Sequence, residues 1–446
     1  MKIFRNSIKG LEPCFSDSYK LSVWNITIPY GDSIICFNSL SGSLVLLEKT
    51  EYEVTSNIEE KLKLGIIVPE DSNEREEWNI KYQKAKKDDS LLDLTIVVSR
   101  NCQLRCSYCF EGVKENRSMT SDTIQKIKSY VASKAGRLKL LRVTWFGGEP
   151  LMHMASIQEL SEYFQELCQM YGIKYIADIT TNGVGLSLQV IQTLVDKCKV
   201  RRYIITIDGT KDVHDKRRYF PNGQGSFDII WKNINALIQK DIRLTIRVTI
   251  DKENVDNVKE FIDYISENIT SENITSDHID LVFVRTHDYS FTPDEIKSSV
   301  FSSKQFASIE TDLITYAVNK GIGYIPLPHH SPLGGCLREA DIVIGTDGEV
   351  YRCLDTIGEH KWITGSISDV EKPQWYKEWL AWNPKDWKCK TCSLLPLCSG
   401  GCPHNALFTD KKHGTDEQCP DWKFNYKELI KLYVDKKLEL NDYAEV

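Results

Sequence analysis

Between residues 92 and 286 the chain repeats one pattern six times. Apolar runs of strand length occur at LDLTIVVSR, LKLLRVTWF, YIADITTNG, RYIITIDG, RLTIRVTID and HIDLVFVRT. Helix-length amphipathic segments such as SDTIQKIKSYVASKA and LSLQVIQTLVDKCKV separate most of them. Six β-α units predict a parallel sheet covered by helices, either doubly wound or curled into a partial barrel. In both designs the working face is the carboxyl end of the strands. Cys102 follows the first run, Gly147-Gly148-Glu149-Pro150 the second, Thr181-Asn182-Gly183 the third and Asp208-Gly209 the fourth.

The flanks read differently. Residues 1–90 carry short β-rich runs broken at Gly31-Asp32 and Ser41-Gly42, both hairpin signals. A short helix is expected at NIEEKLKLGIIVPED, capped by Asn57 with Glu60 and closed by Gly65. Strands beside small helices predict a winged-helix-like module. EREEWNIKYQKAKKDDS is charged enough for a linker or an exposed helix. The formal net charge of −7 argues against broad nucleic-acid binding, which needs a basic face. No apolar run reaches membrane-spanning length and the N-terminus lacks the apolar stretch of a signal peptide, so a cytoplasmic protein with no membrane partner is expected. Two N-x-T sequons in ENITSENITS (267–276) then read as chance matches in a surface loop.

Fourteen cysteines in such a chain need a reason. A disulfide scaffold is a poor one, because 446 residues can build a large core without cross-links. Cys14, Cys36, Cys168 and Cys198 are scattered and read as small core hydrophobes. Three others stand at Cys102, Cys106 and Cys109, and seven more at Cys336, Cys353, Cys389, Cys392, Cys398, Cys402 and Cys419. Such clustering points to metal. The C-x3-C-x2-C triplet lacks the second ligand pair of a structural zinc site. Three thiolates suit a four-iron cluster whose fourth iron takes an outside ligand, but the triplet alone leaves zinc open.

With its neighbours, the triplet resembles the signature of the radical S-adenosylmethionine (AdoMet) superfamily, over residues 92–290. Tyr108 and Phe110 flank the last cysteine as aromatic residues do there, GGEP matches the second-strand motif, and ITIDGTKDVHDKRR (205–218) resembles the fourth-strand motif, with Thr206 where serine is common. The resemblance implies that Cys102, Cys106 and Cys109 hold a catalytic [4Fe-4S] cluster. AdoMet would chelate the open iron and be cleaved reductively to a 5′-deoxyadenosyl radical, which removes a hydrogen atom from the substrate. Tyr108, Gly147, Gly148, Glu149, Asn182, Thr206 and Arg247 are the expected AdoMet-binding residues, with an ion pair the alternative role for Arg247.

The C-terminal cysteines resemble the SPASM domain, with C-x9–15-G-x4-C followed by C-x2-C-x5-C-x3-C and a last Cys. The resemblance implies two auxiliary [4Fe-4S] clusters, three clusters in all. Cys389, Cys392, Cys398 and Cys419 would hold the outer one, and Cys336, Cys353 and Cys402 the inner one. Two closed clusters need eight thiolates and seven are present. The inner cluster is thus left one short, with a place that a substrate thiolate could take.

The expected fold is therefore α/β: a winged-helix-like leader-recognition module (1–90), a radical SAM partial (β/α)6 barrel (91–325) and a cysteine-rich SPASM domain (326–446). The expected activity is that of a radical SAM oxidoreductase that installs a thioether or carbon–carbon cross-link in a ribosomal precursor peptide bearing a leader. A low-potential donor, flavodoxin or ferredoxin, would supply electrons. The sulfatase-maturing branch carries an aspartate directly after the second SPASM cysteine. Here Leu354 follows Cys353 and Asp355 comes one place later, which weighs against formylglycine formation. Peptide epimerisation and a non-enzymatic zinc-ribbon adaptor are the other rivals.

Overall fold

The computed structural model describes residues 1–6, 16–109, 111, 114–269, 279–288, 294–328, 336–370, 373–408 and 419–445. Cys14, Phe110 and most of the sequon segment lie outside these residues.

All six predicted runs form strands: β1 (Leu91–Ser99), β2 (Leu140–Gly147), β3 (Lys174–Thr181), β4 (Val200–Thr206), β5 (Arg243–Ile250) and β6 (Ile279–Arg285). They pair in parallel and in sequential order. Among these six strands the order never reverses. At the β1 edge the sheet continues into a hairpin of β7 (Ile342–Ile344) and β8 (Val350–Tyr351), turned at Asp347-Gly348. β7 runs parallel to β1, so the C-terminal cysteine-rich segment enters the same sheet.

The two faces of this sheet differ in chemistry. Leu94, Ile96, Val98, Val143, Trp145, Ile179, Tyr203, Ile205, Ile246 and Val248 join one buried apolar core, which also takes in residues of the helices Ser121–Lys134, Met154–Tyr171, Phe227–Leu237 and Val258–Asn268. The alternate positions Thr95, Thr144, Thr180, Thr206, Arg247 and Thr249 line a cavity instead. Strand periodicity of two produces both faces from runs that look uniformly apolar at low resolution.

The N-terminal segment builds a five-stranded antiparallel sheet in the order Ala444–Glu445, Lys2–Arg5, Leu44–Glu48, Ser33–Asn38, Asn25–Tyr30. Both hairpin turns fall where the sequence predicts them. The helix Ile58–Leu64 closes on Gly65 at φ +72° as expected, but Asn57 makes no side-chain cap, its backbone lying at φ +49°. The charged stretch after it is neither linker nor wholly exposed. It forms the helix Glu74–Lys86, which buries Trp78 and Tyr82, one helical turn apart, against Trp24 and Leu395. Lys86 at its end donates to the carbonyls of Leu380 and Trp382. A second core joins the sheet residues Phe4, Ile26, Ile28 and Phe37 to Leu394, Leu397, Ile430 and Val434. Among the described residues no helix is long and apolar enough to cross a membrane.

Candidate active site

The cavity at the carboxyl ends of the strands has a volume of about 510 Å³. Cys102, Cys106 and Cys109 line it, together with Tyr108, Gly147, Gly148, Asn182, Thr206 and Arg247. The loop after β1 thus meets the ends of the next four strands at one place.

Two glycines make the meeting possible. Gly147 pairs with Ser99 at φ +140°, and a Cβ there would lie 2.2 Å from the Ser99 carbonyl oxygen. A Cβ on Gly148 would lie 2.6 Å from the carbonyl oxygen of Asn101. The space is filled instead by hydrogen bonds from Gly148 N to Ser99 O (2.9 Å) and from Glu149 N to Asn101 O (2.8 Å). The base of the cysteine loop is therefore stitched to β2 through the motif.

Glu149 is fully buried and does not line the cavity. Its carboxylate accepts from Thr181 Oγ1 (2.6 Å), Asn182 N (2.7 Å) and Leu151 N (3.1 Å). It holds the end of β3, and Asn182 Nδ2 in turn lies 3.6 Å from Cys102 Sγ. Tyr108 donates its hydroxyl hydrogen to Asp208 at 2.5 Å and accepts from Arg218 at 2.9 Å. Arg217 lies over its ring and binds Asp251 through two contacts of 2.9 Å. The segment after β4 thereby clamps the cysteine loop from the opposite side.

Several cavity residues were not anticipated from the sequence. Arg218, Glu111, Lys114, Arg285 and His287 line it with the triad, as do Leu354 and Asp355 from the C-terminal segment. Lys114 Nζ donates to Cys109 Sγ at 2.9 Å. Asp208 and Arg218 lie within the motif ITIDGTKDVHDKRR, which was their one signal. Lys114 and Glu111 carried none.

Of the seven C-terminal thiols, all but Cys353 border two cavities, and Cys398 and Cys419 line both. Cys389, Cys392, Cys398 and Cys419 line a single cavity of about 200 Å³, and Lys423 donates to Cys419 at 2.9 Å. Cys336 and Cys353 lie close enough to interact, and Cys402 is within electrostatic reach of them. A further cavity of about 590 Å³, bordered by Cys336 and Cys402, shares Val284, Arg285 and His287 with the first. Of the scattered cysteines, Cys36, Cys168 and Cys198 are buried.

The donor sets fit iron–sulfur ligation. Burial pushes the Cys106 thiol up to about 11, Cys402 to about 11 and Cys398 to about 12, so these thiols ionise only when a bound cation offsets the cost. Among the described residues no three His, Cys, Asp or Glu side chains converge tightly enough for a single metal ion. Cys106, Cys398 and Cys402 border cavities.

Comparisons with known proteins agree with this geometry. Residues 96–265 match the radical SAM superfamily. The cysteine-type anaerobic sulfatase-maturating enzyme of Clostridium novyi (strain NT) is 26% identical over 385 residues, covering 78% of this chain and 98% of that protein. The AdoMet-bound structure of anSMEcpe superposes with a TM-score of 0.58 at 19% identity, over 78% of this chain and 100% of that one. Streptococcus suis SuiB bound to its precursor peptide SuiA superposes with a TM-score of 0.53 at 16% identity, over 90% of this chain and 100% of that one. A parallel sheet with the triad at its mouth, the glycine motif beside it and the match over residues 96–265 together show that the chain carries a radical SAM domain.

Proposed function

We propose that the protein is a cytoplasmic radical SAM maturase that installs a cross-link, a thioether or a carbon–carbon bond, in a ribosomal precursor peptide. The catalytic cluster and AdoMet, when bound, supply hydrogen-atom abstraction from an unactivated C–H bond. Cys102, Cys106 and Cys109 hold the cluster, and Asn182, Thr206 and Arg247 offer polar contacts to AdoMet in the shared cavity. Glu149, Asp208 and Arg217 act behind them, fixing the strand ends and the cysteine loop. The sheet curls as a partial barrel whose carboxyl-end mouth is covered by residues of the SPASM domain.

The observation that carries this reading is the pairing of the radical site with an N-terminal antiparallel sheet. Among the described residues its outer strand Asn25–Tyr30 pairs on one side only, with Ser33–Asn38. An extended leader can add a strand to such an edge, gaining affinity from main-chain hydrogen bonds. SuiB, whose structure holds a precursor peptide, superposes on a larger share of this chain than anSMEcpe does, which supports the same reading. The test is to look for a short precursor peptide encoded beside the gene and to incubate it with the protein, AdoMet and a reduced flavodoxin or ferredoxin. A product two hydrogens lighter than the precursor supports the reading, whereas an unchanged or merely epimerised peptide refutes it. Loss of the product on changing the acceptor cysteine to serine identifies a thioether.

One observation favours a second reading, formylglycine formation. Asp355 stands one residue later than the sulfatase-maturing pattern requires, yet both Leu354 and Asp355 line the cavity of the triad. A carboxylate there can serve as a base. An aldehyde product from a sulfatase-derived cysteine or serine peptide, lost in Asp355→Asn, would establish this alternative.

A further inference from the structure

Lys114 lies directly against a thiol of the triad. Its Nζ donates to Cys109 Sγ at 2.9 Å and lies 3.6 Å from Glu111 Oε2. The two side chains are only 7% and 3% exposed, and both line the cavity of the triad. Glu111 Oε2 is buried and makes no hydrogen bond among the described residues, and its 3.6 Å ion pair holds the lysine from the other side. A cation held against a cluster sulfur where water cannot screen it stabilises the more negative, reduced form of the cluster.

We propose that Lys114 is a positioning residue that raises the reduction potential of the catalytic cluster through its N–H···S contact with Cys109, with Glu111 holding it in place. The inference rests on the triad being the cluster site, and it concerns the electron affinity of that site rather than its existence. The role has a physical motive. Three thiolates and the buried carboxylates Glu111 and Glu149 surround the cluster with negative charge, which opposes the arrival of a further electron. Arg218 opposes this from the far side, where it is hydrogen-bonded to Tyr108 and near Cys106. Lys114 acts at Cys109. The potential then sets how readily a low-potential carrier can charge the cluster.

The molecule contains its own control. Lys423 donates to Cys419 at the same 2.9 Å, in the other thiol group. The experiment is an EPR-monitored redox titration of reconstituted full-length protein, without AdoMet or peptide, for the wild type, Lys114→Met, Lys114→Arg and Lys423→Met. Lys114→Met should weaken reduction of the catalytic cluster about tenfold, a shift of about 59 mV to lower potential for one electron. Lys114→Arg should keep the midpoint near wild type, and Lys423→Met should leave the catalytic signal in place. An unmoved midpoint in Lys114→Met at wild-type iron content overturns the proposal. Should Lys114→Met lose its iron, Lys114→Gln against Lys114→Arg carries the same comparison, with equal midpoints as the refuting result. Absence of any reducible iron centre in the wild type would instead refute the cluster assignment itself, a distinguishable outcome.

Discussion

Glu149 Oε2 accepts the backbone N–H of Asn182 at 2.7 Å, tying the end of β2 to the end of β3 beneath the cavity. The other oxygen takes Thr181 Oγ1 and Leu151 N, so a fully buried carboxylate satisfies three donors. Glu149→Ala leaves those donors without a partner. The variant is expected to lose about 3 kcal/mol of stability, read from denaturant unfolding. AdoMet affinity should fall with it, because Asn182 is no longer held.

Gly147→Ala should act on the cysteine loop rather than on the core. The new Cβ meets the Ser99 carbonyl oxygen at 2.2 Å, and the φ of +140° is one that L side chains rarely adopt. Relief requires the loop base to move away from β2. The expected outcome is near-normal far-ultraviolet circular dichroism with poor iron retention at the triad, measured by iron content and EPR.

Cys106→Ala removes one ligand of the catalytic cluster only. The wild type is expected to hold about twelve irons and the variant about eight, from four-iron clusters. Reductive AdoMet cleavage should vanish while the C-terminal iron stays. Stoichiometric zinc in place of iron would refute the cluster assignment throughout.

Glu310 supplies a pH signature away from the triad. It borders the 590 Å³ cavity and accepts from Asn425 Nδ2 at 2.9 Å, and burial pushes its carboxyl up to about 7. A folded-state value above the unfolded one means that the native protein holds the proton more tightly. The stabilisation is therefore full below about pH 4.5 and is lost as pH rises through 7. Glu310→Gln keeps the acceptor but removes the charge. It should match the wild type near pH 4.5 and exceed it at pH 8 by at most about 3 kcal/mol, measured by denaturant unfolding at the two values. A difference independent of pH would refute the assignment.

The sequence by itself determined whatever is encoded by spacing along a short stretch. The triad lies within one loop of eight residues, Cys102 to Cys109, so its spacing is visible without a fold. The six strand runs and the turns at Gly31-Asp32 and Ser41-Gly42 are likewise local patterns of burial and backbone freedom. Tertiary structure alone decided which distant residues meet. The glycine motif is legible as a motif, but the Ser99 carbonyl that forbids a Cβ at Gly147 lies 48 positions away and appears only once β1 and β2 pair. Trp78 and Tyr82 are hidden in a charged stretch because their apolar partners, Trp24 and Leu395, come from elsewhere in the chain. Lys114 looks like an ordinary surface charge until folding brings it to the triad's cavity. Lys2 and Ile3 pair with Glu445 and Ala444, a register that no local preference specifies. Local conformational energies act over a few residues, whereas burial and pairing act between any that packing brings together, and only the folded chain states which those are.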